Sequence, residues 1–189
     1  MQFLTLTLIK LFVLLNIVTN AEWANWRGPN MDGSSSAKNV PIKFSQTENI
    51  RWSIDMTGKA ASTPIISGGK VFITTTDKAK KELLAVAYDL KSGKEQWSEV
   101  VGKGLNQDNR SNYAGASPVS DGKHVVFFYG TGDMAVFSHD GKLRWKKNIQ
   151  QEYGKFYFLW TFSSSPIIHD GKIILQVLQR DTPVHPAQQ

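Results

Sequence analysis

The 189-residue chain contains no cysteine. That absence excludes disulfides, thiolate metal sites and cysteine nucleophiles, and by itself says nothing about compartment. Beyond residue 21 there is no apolar run long enough to cross a bilayer. Beyond residue 50 no stretch keeps a 3.6-residue period over three turns, so helices are not expected there. A dense basic stripe is also missing. Lys and Arg outnumber Asp and Glu, 22 to 16, for a formal charge of +6. They are scattered over turns that include Lys70, Lys123, Lys142 and Lys172, which favours a solvated surface over a nucleic-acid groove. The histidines, His124, His139, His169 and His185, share no ligand spacing, which favours solvated turn positions over a metal site.

What is present starts with an N-terminal targeting pattern. Lys10 precedes the apolar run LFVLLNIV (11–18), and Thr19-Asn20-Ala21 supplies small residues at a cleavage position. Residues 1–21 therefore read as a secretory signal. The mature chain is expected to begin near Glu22 and to be secreted, periplasmic or envelope-associated, with no membrane span after cleavage; an uncleaved anchor is the alternative. Residues 22–49 are rich in Gly, Ser, Asn and Pro and read as an irregular lead-in. Trp23 and Trp26 are expected to pin it to a domain surface, with a carbohydrate or ligand platform as the sharper alternative.

From residue 50 the chain becomes short β-branched runs separated by turn signals: IRWSI, TPIIS, KVFITTT, ELLAVAYDL, then SPVS, HVVFFY, MAVFS, LRWKKNI, then SPIIH and KIILQVL. These read as strands, and Gly68-Gly69, Asp121-Gly122, Asp140-Gly141 and Asp170-Gly171 as tight hairpin turns, so consecutive strands should be antiparallel neighbours. The pattern repeats. Trp97 to Trp145 and Pro118 to Pro166 are both 48 residues apart. Four short strands at that period predict an all-β chain of propeller blades, with units about 60–102, 112–150 and 160–189 inside a domain spanning 50–189.

The segment AYDLKSGKEQW carries Ala87, Asp89, Gly93 and Trp97 at the offsets of A-x-D-x-x-T-G-x-x-x-W, with Ser92 in place of Thr. It resembles the tryptophan-docking motif of the PQQ-like, quinoprotein-type β-propeller repeat. AVFSHDGKLRW keeps Ala135, Gly141 and Trp145 at the same offsets but has Phe137 where the Asp belongs. The WANWRGPN opening and the Ser-Ser-Pro stretch also resemble secreted PQQ-like repeat proteins related in fold to the BamB-type outer-membrane assembly lipoprotein. The resemblance implies that these Ala, Gly and Trp residues hold blades together, and that a full ring has seven or eight blades. This chain would carry about three, a partial ring with its C-terminal blades missing. Trp52, without an upstream motif, is expected to supply the outer strand of a last blade.

Chemical candidates are few. Gly130 to Ala135 fits G-x-G-x-x-A but is followed by a turn and another strand where a dinucleotide site needs a helix, so it reads as a hairpin. The polar stretch from Asn106 to Tyr113 fails as a calcium loop because Arg110 takes its fifth position and no Glu closes it. Read as an inter-blade loop, it offers Asn109, Arg110 and Tyr113 as a candidate partner-binding surface. The aromatic run Tyr153, Phe156, Tyr157, Phe158, Trp160 and Phe162 reads as blade core plus a loop over the central face. Two functions follow. One is a non-catalytic extracytoplasmic scaffold that binds a protein or small ligand through its loops and needs no cofactor. The alternative is a fragment of a quinoprotein dehydrogenase holding PQQ and calcium over the central funnel. The adjacent cysteine pair common in those dehydrogenases is missing, which favours the scaffold.

Overall fold

The computed structural model describes residues 22–106, 111–157 and 160–179. Two four-stranded antiparallel sheets dominate it. The first runs β1 (Ile65–Ser67), β2 (Lys70–Asp77), β3 (Glu82–Asp89) and β4 (Glu95–Lys103). The second runs β5 (Val119–Ser120), β6 (His124–Phe128), β7 (Asp133–Ser138) and β8 (Leu143–Asn148), and a hairpin of β9 (Ile167–His169) and β10 (Lys172–Ile174) begins a third. In each sheet the strands pair antiparallel in chain order; β1–β2 and β9–β10 are joined by two-residue turns, whereas Asp121-Gly122 and Asp140-Gly141 sit in longer turns, 121–123 and 139–142. The only α-helix among the described residues is the five-residue α1 (Ile149–Tyr153), which Asn148 caps by accepting from Gln151 N–H. The sheets are propeller blades in an open, partial ring.

Blade stacking explains why the middle strands show an unbroken apolar run rather than alternation. Val125, Phe127, Ala135 and Phe137 face the first blade, joining Phe72, Leu83, Ala85, Ala87 and Val101 in one core. Their immediate neighbours Val126, Phe128, Met134 and Val136 face the other way, into a second core with Ile149, Phe162, Ile168 and Ile173. Successive side chains on a strand point to opposite faces, so a sheet covered on both sides buries both sets. The outer strands β4 and β8 are largely exposed and carry the charges.

The blades are tied near their first strands by a ladder of hydroxyls. Thr63, Ser117 and Ser165 each precede the proline of a unit. Thr63 N–H donates to Ser117 Oγ (2.8 Å), and Ser117 N–H donates to Ser165 Oγ (2.9 Å). The serine of the Ser-Pro signature therefore satisfies a backbone N–H of the preceding blade.

Two differences from the strand pattern stand out. IRWSI forms no strand: residues 50–58 lack a ladder partner among the described residues. Instead Ile54 packs on the outward face of the first blade, against Leu84, Val86 and Tyr88. The aromatic run also divides. Phe156 and Phe162 enter the second core, Tyr157 and Trp160 are exposed, and Phe158 lies outside the described residues. The lead-in holds a single β-bridge, Trp23 with Ile66. Its later part, 34–50, is exposed throughout, including Val40, Ile42 and Phe44.

Candidate functional site

Two indoles, Trp97 and Trp52, dock on turns of a neighbouring blade. Trp97 Nε1–H donates to the His139 carbonyl (3.0 Å), and its ring lies over Gly141, where a Cβ would come within 2.8 Å of the indole. Phe72, Phe127 and Phe137 surround it at 5.5–6.0 Å between ring centroids. Trp52 repeats the arrangement one blade earlier. Its Nε1–H donates to the Leu90 carbonyl (3.0 Å), and its ring covers Gly93, leaving 2.6 Å for a Cβ. In both cases the accepting carbonyl opens the turn between the third and fourth strands, so residues around Trp52 stand where an outer strand of a preceding blade would stand. Trp145 has no such turn against it among the described residues and is partly exposed, with Lys147 Nζ 5.9 Å above its ring.

The Asp-to-Phe departure has a structural counterpart. Asp89 Oδ1 accepts from Ser92 N–H and Ser92 Oγ–H (2.7 Å each) and from Lys91 N–H (3.1 Å), building a local turn over 90–94. Those bonds, the Ser92 hydroxyl foremost, hold the Asp89 carboxyl below its ordinary value. Phe137 cannot make that turn. It continues β7 into the core, the turn shortens to 139–142, and the register moves by one: Trp97 lies opposite Ala87, whereas Trp145 lies opposite Val136.

On the face that carries the connections between blades, Tyr113 N–H donates to the Leu105 carbonyl (3.0 Å), which closes the loop 105–113 at its base. Tyr113 is half-buried, its ring wedged between Gly104 and Gly130, where added Cβ atoms would meet it at 2.9 and 3.0 Å. Gly130 N–H donates back to the Tyr113 carbonyl (2.9 Å). Asn109 and Arg110 lie outside the described residues. Beside the loop, Thr131 Oγ–H donates to Asp133 Oδ2 (2.7 Å), Asn148 donates to Asp133 Oδ1 (3.2 Å), and Gln150 donates to the Thr131 carbonyl (2.8 Å). The turn 129–132 belongs to the β6–β7 hairpin, as the motif's context required.

The opposite face holds a cluster that sequence patterning missed. His139 Nε2 lies 2.8 Å from Ser120 Oγ, and its ring packs on Phe72 with centroids 5.1 Å apart. His124 Nδ1 lies 3.1 Å from Asp121 Oδ2. His139 is thus not a solvated turn histidine: burial, aided by nearby Lys70, holds its pKa below the ordinary value, with Asp121 and Glu22 opposing. Serine, histidine and aspartate together suggest a nucleophile, but the protons are otherwise engaged. Ser120 Oγ–H donates to the His124 carbonyl (2.8 Å), so His139 must donate through Nε2, leaving no base on the hydroxyl. The cluster ties two blades together. Among the described residues no group of three or more His, Asp and Glu is arranged to hold a metal ion.

A family model described as outer membrane protein assembly factor BamB matches residues 36–181. No curated protein matches the chain. Among solved structures, BamB from Moraxella catarrhalis aligns at 17% identity with a TM-score of 0.48, covering 67% of this chain. The chain spans 33% of the length of that structure.

Proposed function

The chain belongs to the family of the outer membrane protein assembly factor BamB, and from that premise we propose that it is a non-catalytic extracytoplasmic scaffold whose inter-blade loops hold a protein partner. The observation that carries this reading is the closed base of loop 105–113: its ends are pinned by the Tyr113 to Leu105 hydrogen bond and braced by the next hairpin. Loops with fixed ends over a rigid scaffold are frequent recognition elements. The loop's sequence, Asn106 to Asn112, is uncharged except for Asp108 and Arg110, and Arg is the residue most suited to a bidentate contact with a partner carboxylate. The family's description favours a protein of the outer-membrane assembly machinery over a small molecule as the partner. The signal at 1–21 and the lack, among the described residues, of any helix long and apolar enough to cross a membrane are compatible with an envelope location.

The test is affinity for a partner recovered by cross-linking at position 110 in envelope extracts. Arg110→Ala and Tyr113→Phe are compared with the parent chain. A loss of about tenfold or more for Arg110→Ala at unchanged melting temperature is expected, in the range of an interface anchor. Unchanged affinity in both variants overturns the proposal.

A further inference from the structure

The first strands β1 and β5 present their inner edges to the axis on which the blades converge, and part of the lead-in is hydrogen-bonded to both. Trp23 N–H donates to the Ile66 carbonyl (2.8 Å) and accepts from Ile66 N–H (3.0 Å), adding an antiparallel residue pair to the inner edge of β1. One residue on, the Ala24 carbonyl accepts from Ser120 N–H of β5 (2.8 Å). Glu22 Oε1 accepts from Gly68 N–H (2.8 Å) at the end of β1. The strap then folds on itself. Asn25, nearly fully buried, donates to the Gly28 carbonyl (2.8 Å) and accepts from Arg27 N–H (2.9 Å). Gly28 lies under the Trp23 ring at φ +75°, with 2.6 Å left for a Cβ.

We infer that residues 22–28 are the protein's own axial plug, bridging the first two blades where the quinoprotein resemblance implies a cofactor over the central funnel. PQQ with calcium does not fit this place. The edge groups at Ile66, Gly68 and Ser120 are already satisfied by the strap, so a ligand would have to displace bonds that are costly to leave unmade. PQQ is also an anionic tricarboxylate, and the plug brings the Glu22 carboxylate and the apolar Trp23 to this position; no carboxylate cluster for calcium occurs among the described residues. The plug instead fixes the first two blades to each other from the inside, as the Trp97 docking does from the outside. Its turn presents Trp26, with the Arg27 guanidinium 5.3 Å over the exposed ring. This inference is independent of the loop 105–113 reading.

Hydrogen exchange on the full chain, combined with equilibrium dialysis against PQQ and calcium, tests it. In the parent chain the Trp23, Ile66 and Ser120 amides are expected to be protected and no PQQ retained. Trp23→Ala should speed exchange at Ile66 and Ser120 by about tenfold or more while Val126 and Phe127 stay protected, which shows local rather than global opening. Glu22→Ala, which removes the accepting oxygen, should do the same at Gly68 alone. Equal exchange at Ile66 and Ser120 in the parent and in Trp23→Ala overturns the plug, and retention of one PQQ per chain by the parent overturns the exclusion.

Discussion

Gly141 and Gly122 sit at nearly the same backbone angle, φ +85° and +88°, but only Gly141 has an indole against it; nothing lies within 4 Å of a Cβ at Gly122. An alanine at either position meets the same left-handed strain, on the order of 1 kcal/mol. At Gly141 it must also push Trp97 off its carbonyl partner, an overpacking cost of about 1–3 kcal/mol more. Gly141→Ala should therefore lower the urea midpoint clearly further than Gly122→Ala, and equal midpoints would mean that the Trp97 contact carries no stability. His139 gives a residue-level pH dependence. Its folded-state pKa is depressed by burial, so between that value and the ordinary 6.5 the folded protein binds fewer protons than the unfolded chain. The stability it contributes is present above pH 6.5 and is lost as pH falls through the folded pKa. His139→Gln can keep a bond to Ser120 without titrating. The parent should lose more stability than the variant between pH 7.5 and 5, as read by urea unfolding.

At the scale of the element, the turn between the third and fourth strands shows what sequence could and could not convey. Gly93, Gly141 and Trp97 were legible because docking needs a left-handed glycine and a large indole at fixed offsets, while Trp145, at the same offset, has no docking turn against it among the described residues. The hairpins were legible from glycine turns and apolar runs. The register difference was not, since Phe137 in place of Asp89 keeps the spacing from Ala to Trp while removing the side chain that builds the longer turn. Nor was the role of Trp23, Ser120 and His139. Their contacts join positions far apart along the chain, Trp23 with Ile66, Ser120 with Ala24 and His139, and His139 with Phe72, and no local periodicity marks them. Asp89→Asn keeps the accepting oxygen and should leave the first blade's melting nearly unchanged, whereas Asp89→Ala removes all three bonds and should lower it. Equal melting temperatures for the two would show that the turn is set by Gly93 alone.

For the molecule as a whole, the blades behave as stacked units joined by three different seams. The Thr63–Ser117–Ser165 ladder joins their first strands, the aromatic cluster around Trp97 joins their outer parts, and the strap from Glu22 crosses the axis. Stability in such an array is the sum of unit and interface terms, so weakening one seam should uncouple blades rather than unfold one of them. The exposed belt between the strap and Trp52 adds a different possibility. Lys38 and Lys43 lie in it, exposed, beside Val40, Ile42 and Phe44, which are 60%, 92% and 73% accessible. Brief trypsin treatment should cut there first. The strap's bonds to Ile66, Gly68 and Ser120 do not depend on that covalent link. A nicked protein should therefore migrate as two pieces in denaturant and as one without it, a folded body carrying its own N-terminal peptide as a tightly held, exchangeable ligand.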